Sequence, residues 1–210
     1  MVSEFRAAFA LISILAWLLL TGHATPSDIE CLKAIKSSFK DPNNYLASWI
    51  FDNSSICKFT GIECWHQDDN KVINIRLSGF GLKGEFPLGI AGCASMTGLD
   101  LSGNSIHGNI PSNISKLMTY ITSLDLSSNQ FSGEIPADLA NCSYLNVLKL
   151  DNNRLAGHIP PQIGLLNRLR TFSVAKNQLT GRIPIFRNIS FPAGSYAGNP
   201  GLCGKPLPAC

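Results

Sequence analysis

Charged side chains are scarce in this sequence: Asp, Glu, Lys and Arg make up 15% of 210 residues, for a formal net charge of +3. No run of Lys or Arg stands out, which argues against the concentrated basic face of a nucleic-acid binder. Long apolar runs are missing too. The stretch Ala7–Leu20 has 14 residues, short of the roughly 20 that cross a bilayer as a helix. Arg6 precedes it, and Gly22 and Ala24 supply the small residues a signal peptidase needs. Residues 1–24 therefore read as a secretory signal peptide rather than an anchor. There is no C-x-x-C, and His66, His107 and His158 follow no ligand spacing, so no metal site is expected. Catalytic signatures are absent as well: no Gly-rich phosphate loop after a strand, no G-x-S-x-G, no H-E-x-x-H. Asp68 and Asp69, in "HQDDNK", fit a solvated turn better than an acid/base pair. The sequence reads as a non-enzyme without cofactor.

What it does contain is turn residues and cysteine: 18 Gly, 12 Pro and 7 Cys. In a secreted chain, cysteines imply disulfides, and an odd count leaves one thiol unpaired within the chain. Cys57 and Cys64 form one close pair, Cys203 and Cys210 another, one near each end. Cys31 and Cys93 either form a third bridge or stay reduced; Cys142 reads as a small buried apolar side chain. Sequons at Asn53, Asn113, Asn141 and Asn188 fit the same compartment.

Self-comparison reveals a repeat. Val72, Met96, Ile121, Leu145 and Leu169 begin five units spaced by 24 residues, except that the second carries one more near "KLMTY". Each follows L-x-x-L-x-L-x-x-N-x-L-x-G-x-I-P. The L-x-L alternation predicts a short strand with one face buried, and Gly-x-Ile-Pro turns the chain back along the other side of a coil. One unit cannot bury its apolar face alone, whereas stacked units share a continuous core. Asn104, Asn129, Asn153 and Asn177 fall just after the strand, where a buried amide can satisfy main-chain groups of its own and the next coil. The first unit has Phe80 there, as suits a coil facing a cap. The expected fold is thus an α/β solenoid, a right-handed leucine-rich-repeat superhelix. Residues 25–71 form an N-terminal cap, 72–184 the five repeats and 185–210 a C-terminal cap. "SDIECLKAIKSSF" opens the first cap with a helix, Ser27 and Glu30 standing at capping-box spacing.

The variable positions carry the function. One outward column reads Arg76, Asp100, Asp125, Lys149, Ser173; the next reads Ser78, Ser102, Ser127, Asp151, Ala175. Neither has an aromatic residue to line a deep pocket. The column before each strand reads Lys71, Ser95, Tyr120, Tyr144, Arg168, with Arg170 two residues on. Tyr and Arg are enriched in interface hot spots, so Tyr120, Tyr144, Arg168, Arg170 and Lys149 are the candidate partner-binding residues. Five strands about 4.8 Å apart make a ladder roughly 20–25 Å long. That suits a protein interface of around 800 Å² per side better than an extended peptide.

The 24-residue repeat with G-x-I-P resembles the plant-specific leucine-rich repeat. "DPNNYLASW", "CKFTGIEC" and "GNPGLCGKPL" resemble the caps of plant receptor-like kinase ectodomains. Five repeats is the short class, shared with the somatic-embryogenesis receptor kinase (SERK) co-receptors. Within it, "DIECLKAIKSSFKDPNNYLASWIF", "CKFTGIECWHQDDNKVINIRLSGFGLKGEFPLGI" and "LCGKPLPAC" are most similar to the BIR-type receptor pseudokinases. The resemblance implies an ectodomain, monomeric alone, that binds a co-receptor ectodomain and so restrains immune and brassinosteroid signalling. It also implies a transmembrane helix and kinase-like domain beyond Cys210, which this sequence lacks: it is either an ectodomain-length piece or a secreted ectodomain. The competing expectation is a secreted inhibitor of a cell-wall-degrading enzyme, like the polygalacturonase inhibitors. Those resemble ten-repeat arcs, and five repeats argue against it.

Overall fold

A computed structural model of the chain describes residues 28–52, 55–66, 70–187 and 189–210. The signal-peptide assignment, Ser27, Asn53, Asp68, Asp69 and Asn188 lie outside the described residues. Helix α1 (Asp28–Ser38) opens the structure and buries Cys31, Leu32 and Ile35 against the first coil. Its Asp28 accepts a hydrogen bond from the Val72 main-chain N–H at 2.6 Å, tying the cap to the first repeat strand.

Two sheets run along the solenoid. In the first, β3 (Val72–Arg76), β5 (Gly98–Asp100), β7 (Ser123–Asp125), β9 (Val147–Lys149) and β11 (Thr171–Ser173) pair in parallel, one strand per repeat. The cap strand β2 (Ile62–Cys64) closes its N-terminal edge antiparallel to β3. The first apolar residue of every unit (Val72, Met96, Ile121, Leu145, Leu169) is buried, as are the L-x-L residues that follow.

Each Gly-x-Ile-Pro segment does more than turn the chain. It ends a five-residue strand of a second parallel ladder: β6 (Ser105–Asn109), β8 (Gln130–Glu134), β10 (Arg154–His158) and β12 (Gln178–Arg182). Short cap strands β1 (Phe39–Lys40) with β4 (Lys83–Gly84), and β13 (Gly201–Cys203), finish its two ends. The glycine is needed twice over. Gly133 has φ +75°, and a Cβ there would stand 2.7 Å from the Asn109 Oδ1 of the preceding coil. The convex connections are single 3-10 turns, apart from the four-residue helix α2 (Ile114–Leu117).

Between the sheets runs the asparagine ladder. Asn129 accepts from the Ile106 N–H at 3.0 Å and donates to the carbonyls of Leu101 and Leu126 at 2.8 and 3.3 Å. Asn104, Asn153 and Asn177 repeat the pattern one coil at a time. Asn199, in the C-terminal cap, continues it by accepting from Leu179 and donating to Val174 and Tyr196. That cap is thus built on the ladder of the repeats. At the other end Phe80 stands where the ladder residue is missing, and its ring stacks on Tyr45 at 4.5 Å.

Three disulfides fasten the caps. Cys57–Cys64 and Cys203–Cys210 close as expected, and Cys31–Cys93 joins α1 to the first coil, settling the open pairing. Trp49 is buried beside Phe59 and donates its indole N–H to the Thr60 carbonyl at 3.0 Å. Cys142 is free and buried, and burial, followed by the Asp138 charge, pushes its thiol up to about 11.

Candidate partner-binding surface

The repeat places Tyr120, Tyr144 and Arg168 at one position of successive coils. Each follows a convex turn and immediately precedes a buried residue that leads into the strand, Ile121, Leu145 or Leu169. The buried neighbour fixes the backbone, so the preceding side chain has to leave the coil at its edge. Coil stacking then brings the three together. The Tyr120 and Tyr144 ring centroids are 6.0 Å apart, and the Arg168 guanidinium carbon lies 5.3 Å from the Tyr144 centroid. Tyr120 and Tyr144 remain 53% and 41% exposed, so the stack is a surface feature. Contact between ring and guanidinium reduces the rotamer freedom each side chain would lose on docking.

Arg170 is exposed beside this stack, and its N–H bonds the Asn146 carbonyl at 2.7 Å. Neither Arg168 nor Arg170 has an ion-pair partner among the described residues, where the salt bridges are Glu30–Lys33, Glu63–Arg76 and Asp125–Lys149.

Lys149 belongs to a different group. It projects from the middle of β9, and its Nζ lies 3.1 Å from Asp125 Oδ2. Hydrogen bonding to and charge attraction by Asp125, with smaller contributions from Asp100 and Asp151, hold its amine above the usual lysine range. The strand register confirms the outward column Arg76, Asp100, Asp125, Lys149, Ser173. Most of its charges are satisfied from within. Asp100 Oδ1 accepts from the N–H and hydroxyl of Ser102, and Asp125 Oδ1 does the same with Ser127. Glu63 of β2 bridges Arg76 at 2.7 Å and accepts from the Asn74 amide at 2.7 Å.

Two further outward columns escaped the sequence reading. One is Asn74, Gly98, Ser123, Val147, Thr171; the other, one residue earlier, is Ile73, Thr97, Thr122, Asn146, Arg170. The x-x of L-x-x-L was the signal for both. They fill the space between the Tyr/Arg edge and the ion-paired centre, with exposed Asn146 and half-buried Val147 beside Tyr144. The sequons Asn113 and Asn141 lie exposed on the convex turns, and the Asn141 amide donates to Asp138 at 2.8 Å.

Comparison with known proteins agrees with this geometry. Residues 25–65 match the leucine rich repeat N-terminal domain, and residues 95–117, 120–142 and 144–166 match the leucine rich repeat. A probably inactive leucine-rich repeat receptor-like protein kinase of Arabidopsis thaliana is 58% identical over 191 residues, covering 89% of this chain and 31% of that protein. The inactive receptor-like kinase BIR2 of the same plant is 57% identical over 188 residues, again 88% against 31%. This chain therefore spans about a third of the length of these curated relatives. It matches their repeat region and contains no kinase domain. Among solved structures, the BIR2 ectodomain from Arabidopsis thaliana superposes with a TM-score of 0.85 at 47% identity, covering 87% of this chain and 98% of that one. The BIR3–SERK2 complex from Arabidopsis thaliana gives 0.84 at 45% identity with the same coverage. Coverage of a whole ectodomain at such identity settles the family: the chain belongs to the BIR-type leucine-rich-repeat receptor-like kinases and corresponds to their extracellular ectodomain.

Proposed function

We propose that this ectodomain binds the ectodomain of a SERK co-receptor through Tyr120, Tyr144, Arg168 and Arg170, with Lys149 at the margin, and thereby restrains immune and brassinosteroid signalling. One observation carries the reading. Charges at the centre of the outward sheet are partnered within the chain, whereas the Tyr/Arg edge keeps two aromatic rings in tilted contact exposed and two guanidinium groups without an ion pair among the described residues. Exposed tyrosines beside arginines are the residue types enriched in interface hot spots. A similar ectodomain, BIR3, is found in complex with SERK2.

The site works by occupation rather than by chemistry. A co-receptor held on this edge is withheld from a ligand-binding receptor that needs the same surface. The protein acts outside the cell, secreted into the apoplast or held at the outer face of the plasma membrane. Residues 1–24 direct its export, and Asn53, Asn113, Asn141 and Asn188 carry N-glycans. Calorimetric titration of the glycosylated ectodomain against a SERK ectodomain, at neutral and at apoplast-like acidic pH, tests the reading. Saturable one-to-one binding is expected; no heat of binding at either pH overturns it.

A further inference from the structure

The C-terminal cap contains a cleft of about 970 Å³, lined by residues between Arg182 and Cys210 and by none of the Tyr/Arg edge. Ile183, Ile185, Phe186 and Leu207 form its apolar wall. This size lies within the range of small-molecule sites, about 300–1,000 Å³. Ile185 is 85% exposed, more than any other large apolar side chain among the described residues.

Two polar features distinguish the cleft from a packing defect. Tyr196 lines it, its ring packed in the core, and its hydroxyl makes no hydrogen bond to another described residue. Burial pushes this hydroxyl up to about 12, so it stays protonated and able to donate. The second feature is charge. Arg182 and Lys205 both line the cleft, both are exposed, and neither is ion-paired among the described residues. The Arg182 stem lies against Gly204, where an added Cβ would stand 3.4 Å from its Cγ.

An apolar wall, one hydroxyl donor and two cations without an ion-pair partner among the described residues are complementary to one kind of molecule. We infer that the cleft binds an amphipathic organic carboxylate. Its hydrocarbon body lies against Ile183, Ile185, Phe186 and Leu207, its carboxylate meets Arg182 and Lys205, and a ligand oxygen accepts from Tyr196. Charge-assisted contacts to the carboxylate supply selectivity, and the apolar wall supplies most of the affinity. The inference stands apart from co-receptor binding, since neither tyrosine of the edge takes part.

Calorimetric titration of the intact glycosylated ectodomain with sodium decanoate below its micelle concentration tests it, with decyl maltoside and decyltrimethylammonium as uncharged and cationic comparators. Decanoate should bind saturably at one site, and the comparators at least about tenfold more weakly. Arg182→Gln with Lys205→Gln should weaken decanoate by about tenfold or more, and Tyr196→Phe by about threefold. Ile185→Glu, at a position too exposed to endanger folding, should abolish binding. A flotation assay with phosphatidylserine vesicles distinguishes a free carboxylate from an anionic membrane surface. The inference is overturned by absent saturation, equal binding of the comparators, wild-type affinity in the charge variant, or binding to vesicles alone.

Discussion

Asn153 connects three segments with one amide: it accepts from Phe131 N–H at 3.0 Å and donates to Leu126 and Leu150 carbonyls at 3.0 and 3.1 Å. Leucine is close in size but cannot accept or donate, so Asn153→Leu leaves several partly buried main-chain groups unpaired. At about 1–3 kcal/mol for each stranded group, the variant should lose roughly 2–4 kcal/mol, read from its urea midpoint. A loss below about 1 kcal/mol would mean that the ladder contributes less than its geometry implies. Cys142 offers a second test. With a folded-state thiol at about 11 against an ordinary 9.0, iodoacetamide at mildly alkaline pH should label it only after unfolding. The linkage sign follows: this raised value adds stability that is full below pH 9.0 and is lost as pH rises towards about 11. Labelling of the folded protein at the rate of a free thiol would contradict the burial.

The caps act as elements, and their bridges are not equivalent. Cys31–Cys93 closes a separation of 62 residues, Cys57–Cys64 only 7. Loop-closure entropy predicts about 4 kcal/mol from the first and about 2 kcal/mol from the second. Replacing Cys31 and Cys93 with Ser should therefore lower the unfolding midpoint more than replacing Cys57 and Cys64. The reverse order would show that strain or residual structure, rather than loop length, sets their contributions. At this scale the sequence was uneven to read. The first sheet was legible because L-x-L puts two apolar residues on one face of each strand. The second was not, because a strand such as Gln130–Glu134 holds a single buried apolar residue, Phe131, and a glycine that breaks the alternation. Asn199 was hidden by its spacing, 22 residues after Asn177 where the ladder elsewhere steps by 24 or 25. The pairing of Cys31 with Cys93 depended on how α1 docks, which no local pattern encodes.

Over the whole molecule, stacked coils turn a one-dimensional repeat into a surface. The Tyr/Arg edge was legible as a column because a constant step superimposes equivalent positions. Its division of labour was not: that Lys149 is bound to Asp125 while Arg168 lies over Tyr144 depends on side-chain directions across strands. Arg168 and Arg170 should make docking weaken with salt, whereas the Tyr120–Tyr144 contact should not. The most direct test is a calorimetric titration of Tyr144→Ala with Arg168→Ala against a SERK ectodomain, beside the wild type and a Ser102→Ala control. Neither replaced side chain belongs to the apolar core, so the unfolding midpoint should hold. The double variant should bind at least about thirtyfold more weakly, about 2 kcal/mol, while Ser102→Ala binds as the wild type does. Wild-type affinity in the double variant would contradict the assignment of this edge as the docking surface.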